Sequence, residues 1–508
     1  MRVGDRGLAA EDVVAVAREG AAVELTPAAR EAMTASATLI DGFLAADEPV
    51  YGVTTGFGSL ATTSIPPERT AELQVALVRS HAAGMGAAVE PEVVRAMMLL
   101  RARSLAMGRS GARPEVADAL LALLNAGITP VVHEHGSLGA SGDLAPLAEA
   151  AMALIGEGAV LDASGWQRPA TEALAESGLA PVILRAKEGL ALINGTDGIL
   201  GMLVLALEDL RLLLKVADIA AAMTVEALLG TDRAFAADLQ ALRPQPGQAV
   251  SAENLRRLLA GSAIVASHRE NDPRVQDAYS LRCSPQVHGA ARDTVAYATT
   301  VADYELVSAI DNPMILPDGR VESCGNFHGA PLGYVCDFLA IATADVGALS
   351  ERRTDRLLDR TRSHGLPPFL APDAGVDSGM MIAHYAQAAM VAENRRLAAP
   401  ASVDTVPTSA MQEDHVSMAW GAARKLRVSV ANLGRILAVE LTCAARGLDL
   451  RAPLLPAAGT QAALTMLRSV IGGPGPDRWL APELDVVETL VREGVIDDAV
   501  EEVIGPLR

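Results

Sequence analysis

In the stretch Gly136-Ser137-Leu138-Gly139-Ala140-Ser141-Gly142-Asp143-Leu144-Ala145-Pro146-Leu147, a serine stands between an alanine and a glycine. Two chemistries are open to that triplet. A serine nucleophile on a sharp turn wants Gly-x-Ser-x-Gly, and here Gly142 follows Ser141 directly, so the spacing fails. The alternative is backbone cyclisation. Glycine at 142 has no Cβ to block the approach of its amide nitrogen to the carbonyl two residues back. Ala140 leaves that carbonyl uncrowded, and Ser141 can lose water to give a dehydroalanine double bond. The product is a five-membered ring with an electrophilic methylene. Most Ala-Ser-Gly triplets are only small-residue turns before a helix, so this one needs support from the rest of the chain.

The elements that must hold such a turn are helical. Of 508 residues, 50% are hydrophobic but only 3% aromatic, and alanine and leucine dominate, which favours helices over sheets. A chain of this length can bury a large core. The formal net charge of -20 argues against nucleic-acid binding, which needs basic patches. Cys283, Cys324, Cys336 and Cys443 form no CxxC pair, which suits a reducing cytoplasm better than a disulfide framework or a zinc finger. The first residues lack an apolar signal core. The apolar run from about Ile199 to Leu229 is interrupted by Glu208, Asp209, Arg211, Lys215 and Asp218, so it reads as a buried bundle helix and not a membrane span.

Punctuation predicts where helices begin. Thr26-Pro27 reads as an N-cap followed by proline at the first helical position. Pro91 opens a helix to about Met107, and Pro114 opens one ending near Gly127. From Val335, the residues Phe338, Leu339, Ala342, Val346 and Leu349 recur at the spacing of one helical face. Glu351, Arg352, Arg353, Asp355 and Arg356 then point that helix toward solvent or a partner. Met418 to about Leu450 is a further long helix, and Leu366-Pro367-Pro368 and Gly472-Gly473-Pro474-Gly475-Pro476 are loops. The expected fold is mainly α. An N-terminal domain, 1–200, carries the cyclisation loop; a central long-helix bundle, 201–450, and a helical tail, 451–508, follow. Helices of this length favour oligomeric packing.

Several blocks accompany the triplet: Val50-Tyr51-Gly52-Val53-Thr54-Thr55-Gly56-Phe57-Gly58, Ser80-His81-Ala82-Ala83-Gly84 and Lys187-Glu188-Gly189-Leu190-Ala191-Leu192-Ile193-Asn194-Gly195-Thr196. Further on stand Val275-Gln276-Asp277-Ala278-Tyr279-Ser280-Leu281-Arg282, Gly325-Asn326-Phe327-His328-Gly329 and Gln412-Glu413-Asp414-His415-Val416-Ser417-Met418. In this order they resemble the histidine and phenylalanine/tyrosine ammonia-lyase family, from about Val13 to about Leu450. The resemblance implies an L-aspartase-like fold of long helices, assembled as a homotetramer with sites shared between subunits. It implies that Ala140, Ser141 and Gly142 form 4-methylideneimidazole-5-one autocatalytically, with no external cofactor and no metal. Tyr51 resembles the family's catalytic base for the β-proton, and Arg282 the clamp on the substrate carboxylate, where a guanidinium offers parallel hydrogen bonds. Asn194 and Gln276 resemble polar residues near the carboxylate and the ring. Tyr279, three residues before Arg282, resembles a second active-site tyrosine and shares its face if the stretch is helical. Phe327 resembles an aromatic wall.

Selectivity in the family is read after Leu77-Val78-Arg79. Phenylalanine lyases show Phe-Leu there and tyrosine lyases His-Leu; Ser80-His81 resembles the histidine-specific members. An imidazole needs polar partners, because an apolar pocket strands its ring nitrogens. His81 is one candidate partner. Glu413, where phenylalanine lyases usually carry glutamine, is an anionic one. The expected reaction is non-oxidative loss of ammonia from L-histidine giving urocanate. Tyrosine or phenylalanine as substrate, and an aminomutase using the same ring, stay open. Two departures stand out: Glu149, where histidine lyases often carry histidine, and Asp197, where many carry glutamine. His133-Glu134-His135 suits neither HExxH nor zinc-finger spacing and reads as a loop leading into the turn. His268, His364, His384 and His415 read as structural.

Overall fold

Proline and hydroxyl caps fix the helix starts as the sequence anticipates. In the computed structural model, which describes residues 1–4, 7–46, 52, 54–56, 58–60 and 62–508, the first long helix is Pro27–Ala46. Thr26 Oγ1 accepts from the Ala29 N–H at 3.1 Å, satisfying an N–H that the first turn leaves without a helical partner. Pro91–Ala106 and Pro114–Asn125 follow, each with proline in its first turn. Gly127, at φ +68°, lies just past the end of the latter, where a left-handed residue closes the last turn.

The chain divides into two compact units, each assembled from separate stretches. The first comprises Met1–Leu205, Thr299–Asp337 and Pro400–Arg424; the second Ala206–Ala298, Phe338–Ala399 and Lys425–Arg508. The first unit holds the helices above together with Thr70–His81, Leu144–Leu154 and Glu188–Ile193. Among the described residues its strands are short. Met85–Ala88 pairs antiparallel with His133–His135, and Thr129–Pro130, Ala159–Leu161 and Gln167–Pro169 form a small antiparallel sheet. His133-Glu134-His135 is therefore a strand and not the loop expected from sequence.

Long helices dominate the later chain: Asp197–Ala227, Ser284–Leu306, Ala330–Leu358 and Ala419–Asp449. Three apolar stretches, Glu188–Ala227, Ala330–Leu358 and Ala419–Asp449, are long and apolar enough to cross a membrane, but the most apolar window of the first is 100% buried within the protein. That agrees with a bundle helix. Along Ala330–Leu358, Leu339 and Val346 are buried as expected while Phe338 is exposed. Adjacent residues point about 100° apart on a helix, so Phe338 and Leu339 fall on different faces. The Glu351–Arg356 stretch also departs from expectation: Arg353 is fully buried and Glu351 nearly so. In the second unit Arg353 Nε and Nη2 reach Glu440 Oε1 and Oε2 at 2.5 and 2.8 Å. The Thr224 hydroxyl donates to the same carboxylate at 2.8 Å. A buried guanidinium needs such a bidentate partner. None of the four cysteines is in a disulfide.

Candidate active site

The Ala140-Ser141-Gly142 triplet forms a tight turn in the first unit. Gly139 and Gly142 pair as an antiparallel bridge, and Gly139, Ser141 and Gly142 all take positive φ, at +71°, +51° and +76°. For serine this left-handed conformation costs on the order of 1 kcal/mol, so the surroundings must hold it. They do so on three sides. Ser137 Oγ accepts from the Gly139 N–H at 3.0 Å and donates to Asp143 Oδ1 at 3.2 Å. The Met418 N–H donates to the Leu138 carbonyl at 2.8 Å, and the Asp143 N–H to the Gly195 carbonyl at 2.7 Å. A Cβ on Gly142 would stand 2.1 Å from that Gly195 oxygen, so only glycine fits. Gly142 is buried while Ala140 and Ser141 are partly exposed. This compact turn fits the ring that the triplet would form.

Asp143, fully buried, anchors the turn to the start of the Asp197–Ala227 helix. Its Oδ2 accepts from the Gly198 and Ile199 N–H groups at 2.9 and 3.0 Å, donors that a helix N-terminus leaves free. Burial pushes its carboxyl up to about 8, against the opposing pull of those N–H groups and the Ser137 hydroxyl. Asp197, also buried, lies 3.4 Å from Arg101 Nη1. Burial raises its pKa as well, with Arg101 and Arg103 opposing.

Parts of three family-like blocks, at Gly84, Gly195 and Ser417-Met418, touch this turn or the residues flanking it. His81 ends the Thr70–His81 helix, its Nδ1 2.9 Å from the Leu77 carbonyl. Gly84 follows it, and a Cβ on Gly136 would stand 3.2 Å from Gly84 Cα, so the two segments touch. Glu149 underlies this contact: it accepts from the His133 N–H at 2.7 Å and faces His133 Nδ1 at 2.8 Å. That gives the first departure a structural role. Ser417 Oγ donates to the Gly139 carbonyl at 3.4 Å. Glu413 pairs with Thr408 across a tight loop and accepts from the Thr408 hydroxyl at 2.6 Å. That loop carries Ser409, Ala410 and Met411 at positive φ. Phe327 is partly buried in the loop before Ala330–Leu358. Its neighbour His328 stacks on His415, with centroids 5.8 Å apart and planes 5° apart. Asn194 is buried at the end of Glu188–Ile193. Tyr51 lies outside the described residues.

Gln276, Tyr279 and Arg282 belong to the second unit. Tyr279–Arg282 is one helical turn, so the two ends share a face as expected, and the Arg282 Cζ lies 4.4 Å over the Tyr279 ring. Arg282 Nε donates to the Asp277 carbonyl at 3.0 Å. Gln276 and Tyr279 are exposed. Among the described residues no cluster of His, Cys, Asp and Glu could hold a metal. Lys187, Asp311 and Arg101 were not singled out from sequence, yet all are buried around Asn194. A charged residue inside an apolar run, as Asp311 follows Ala309-Ile310, is the signal that could have found one of them.

Comparison with known proteins covers nearly the whole chain. Relatives include the histidine ammonia-lyase of Streptomyces griseus, 62% identical over 99% of both chains, and that of Deinococcus radiodurans, 52% identical over 94% of this chain and 91% of the relative. Similar solved structures include a tyrosine aminomutase from Streptomyces globisporus, with TM-score 0.94, 36% identity and 100% of each chain covered. Another is a histidine ammonia-lyase from Trypanosoma cruzi, with TM-score 0.91, 39% identity and 99% and 96% covered. Residues 8–469, a span that includes the Ala140-Ser141-Gly142 turn, match the aromatic amino acid lyase model, and the chain belongs to the aromatic amino acid lyase family.

Proposed function

We propose that this enzyme eliminates ammonia from L-histidine to give trans-urocanate, the first step of histidine degradation. The observation that carries the reading is full-length identity, 62% in one case, to proteins named histidine ammonia-lyase. His81 and Glu413 support it, both placed in the unit that holds the Ala140-Ser141-Gly142 turn.

In this reading the Gly142 amide nitrogen bonds to the Ala140 carbonyl carbon, one water leaves there, and Ser141 loses a second across its Cα–Cβ bond. The resulting 4-methylideneimidazole-5-one supplies an electrophile that makes the α-amino group a competent leaving group. The β-proton is weakly acidic, so a base is also needed. Tyr51 takes that proton, and Tyr279 is the second tyrosine of the site. Arg282 and Gln276 hold the carboxylate, Asn194 supplies a further polar contact, and Phe327 walls the substrate ring. His81 and Glu413 meet the imidazole nitrogens.

The assembly is a homotetramer with sites shared between subunits. Support comes from exposed side chains: Tyr297, Phe338, Ile341, Ile382 and Tyr385, on helices of the second unit, are large apolar groups left exposed in the single chain, which a neighbouring subunit would cover. Gln276 and Tyr279 are exposed too, so a neighbour can use them. Four cysteines outside any disulfide fit a cytoplasmic location, and the charge of -20 fits an enzyme whose partner is a small amino acid and neither nucleic acid nor membrane.

The test is to offer L-histidine, L-tyrosine and L-phenylalanine separately and follow ultraviolet absorbance of the conjugated acid. A rise with histidine alone is expected, and a rise only with tyrosine or phenylalanine overturns the substrate. The likeness to a tyrosine aminomutase, TM-score 0.94, favours one second reading, in which ammonia is returned to the β-carbon. β-Amino acid in the product mixture would establish it.

A further inference from the structure

Glu413 ends a loop that backbone hydrogen bonds close twice. The Thr408 N–H donates to the Glu413 carbonyl at 3.0 Å, and the Glu413 N–H to the Thr408 carbonyl at 3.3 Å. Between them Ser409, Ala410 and Met411 stand at φ +48°, +51° and +72°. Three successive non-glycine residues hold that conformation only where their surroundings impose it. The loop is braced on both sides. A Cβ on Gly58 would collide with Ser409 Oγ, so the loop packs against that glycine. Beyond Glu413, His415 stacks on His328, and the Val416 N–H donates to Thr405 Oγ1 at 2.8 Å. Ser417 Oγ then donates to the Gly139 carbonyl at 3.4 Å, which joins the segment to the flank of the Ala140-Ser141-Gly142 turn.

Inside this frame the two carboxylate oxygens of Glu413 differ. Oε2 accepts from the Thr408 hydroxyl at 2.6 Å, while among the described residues Oε1 accepts no hydrogen bond. A hydroxyl has one hydrogen, and this one is committed to the carboxylate. Thr408 and Glu413 are both partly exposed, so a small molecule can approach the remaining oxygen. A loose glutamate side chain samples many rotamers, and fixing it at the moment of binding costs affinity. A bond made beforehand to a neighbour on a braced loop removes that cost and settles which oxygen is left.

We infer that Thr408 is a positioning residue for the ring end of the substrate: its hydroxyl holds Glu413 through Oε2 and leaves Oε1 to accept one ring N–H. This inference rests on the histidine reading, and it adds the residue through which Glu413 is made ready. An imidazole brings an N–H to Oε1. A phenyl ring brings none, and it displaces water from the carboxylate without replacing the lost donor. The Thr408 hydroxyl therefore favours a nitrogen-bearing ring and does nothing for a phenyl ring.

Thr408 has an extended backbone, φ -131° and ψ 177°, which suits a β-branched residue. Thr408→Val therefore removes the hydroxyl and keeps the shape. Two unreactive fragments, imidazolepropionate and phenylpropionate, share a carboxylate and differ in the ring N–H. Their affinities for the full-length assembled protein are measured by titration calorimetry, a readout independent of turnover. Thr408→Val is expected to weaken imidazolepropionate about tenfold, the size of a hydrogen bond to a charged group, and to leave phenylpropionate within about twofold. KM for histidine should rise by a similar factor with kcat nearly unchanged, the mark of a contact made equally in ground and transition states. Thr408→Ser, which keeps the hydroxyl, should restore both values. In a Glu413→Ala background Thr408→Val should cost imidazolepropionate nothing further. Equal weakening of both fragments, a loss confined to kcat, or additive losses in the double variant overturns the inference. If Thr408→Val does not fold, Thr408→Ala is measured in its place. Wild-type protein that turns over tyrosine or phenylalanine and not histidine fails the substrate reading itself, a result visible without any variant.

Discussion

Two buried ionic centres, one in each unit, are built to different ends. In the second unit Arg353 and Glu440 close on each other: Glu440 accepts from Arg353 through both oxygens and from Thr224, and Arg353 Nη1 is also within reach of Ser280 and Ser284. In the first unit, the charges around Asn194 and the turn leave Asn194 Oδ1 and Asp197 Oδ2 without hydrogen bonds, beside a serine held at positive φ. A closed network gives up nothing to a ligand and acts on stability. An open one, kept in a strained setting, has capacity to spare for chemistry. Disturbing the closed centre should collapse the fold, and disturbing the open one should stop the reaction in a protein that still folds.

The sharpest test of that contrast is Ser141→Ala. Alanine cannot lose water to form the methylene, so turnover should fall by at least about a thousandfold, the scale of losing a covalent catalytic group. Intact mass should show that the wild type lacks two waters and the variant does not, with an unchanged melting temperature. Near-normal turnover would remove the electrophile. Next in size is Arg353→Met. Leaving Glu440 buried and unpaired should cost about 3–5 kcal/mol, measured by denaturant unfolding. A variant that folds like the wild type but has lost kcat would place Arg353 in the chemistry and erase the distinction. His81→Leu should lower kcat/KM for histidine by about ten- to a hundredfold, the range for a lost polar contact in a specificity pocket, with folding unchanged; an unaltered kcat/KM removes His81 from recognition.

Much of this was legible before the structure. Helix starts at Pro27, Pro91 and Pro114 follow from proline and capping chemistry, which acts over a few residues. Gly84, Gly195 and Ser417-Met418, drawn from blocks far apart in sequence, come together at the turn or its flanks. Pairings between distant segments were not legible. Arg353 looked solvent-bound because its partner Glu440 is 87 residues away, and Lys187 was unremarkable until Asp311, 124 residues on, came beside it. Phe338 shows the limit of periodicity itself, which marks an apolar residue without saying whether protein or water faces it. Nor does a local pattern tell that 299–337 and 400–424 rejoin the first unit.

A gentler probe of the open centre is pH. Asp143, pushed up to about 8 by burial, stays protonated in the fold between about pH 4 and 8 while the unfolded chain is ionised there. The folded state binds more protons in that window, so stability falls as pH rises through it, by up to about 1.4 kcal/mol per pH unit. Asp143→Asn lacks this titration. Calorimetric melting should therefore show the wild type losing ground to the variant from about pH 5 to about pH 8, and a constant difference would show that the carboxyl is already ionised. The smallest effect, remote from both centres, is Thr26→Ala. Loss of the cap should cost about 1 kcal/mol, seen as a modest drop in melting temperature with kcat/KM intact.

The contact between Gly142 and Gly195 also bears on how such a sequence can change. A Cβ on Gly142 would meet the Gly195 oxygen at 2.1 Å, and one on Gly195 would meet Asp197 Oδ2 at 2.2 Å and Arg101 Nη1 at 2.4 Å. Each position is thus blocked by the next, and the last is blocked by a buried ion pair. Neither glycine can gain a side chain while its neighbours stay in place, so the two positions are held together in any lineage that keeps this turn. Asp197 is the outermost link, and the departure found there marks where such a series can begin to vary.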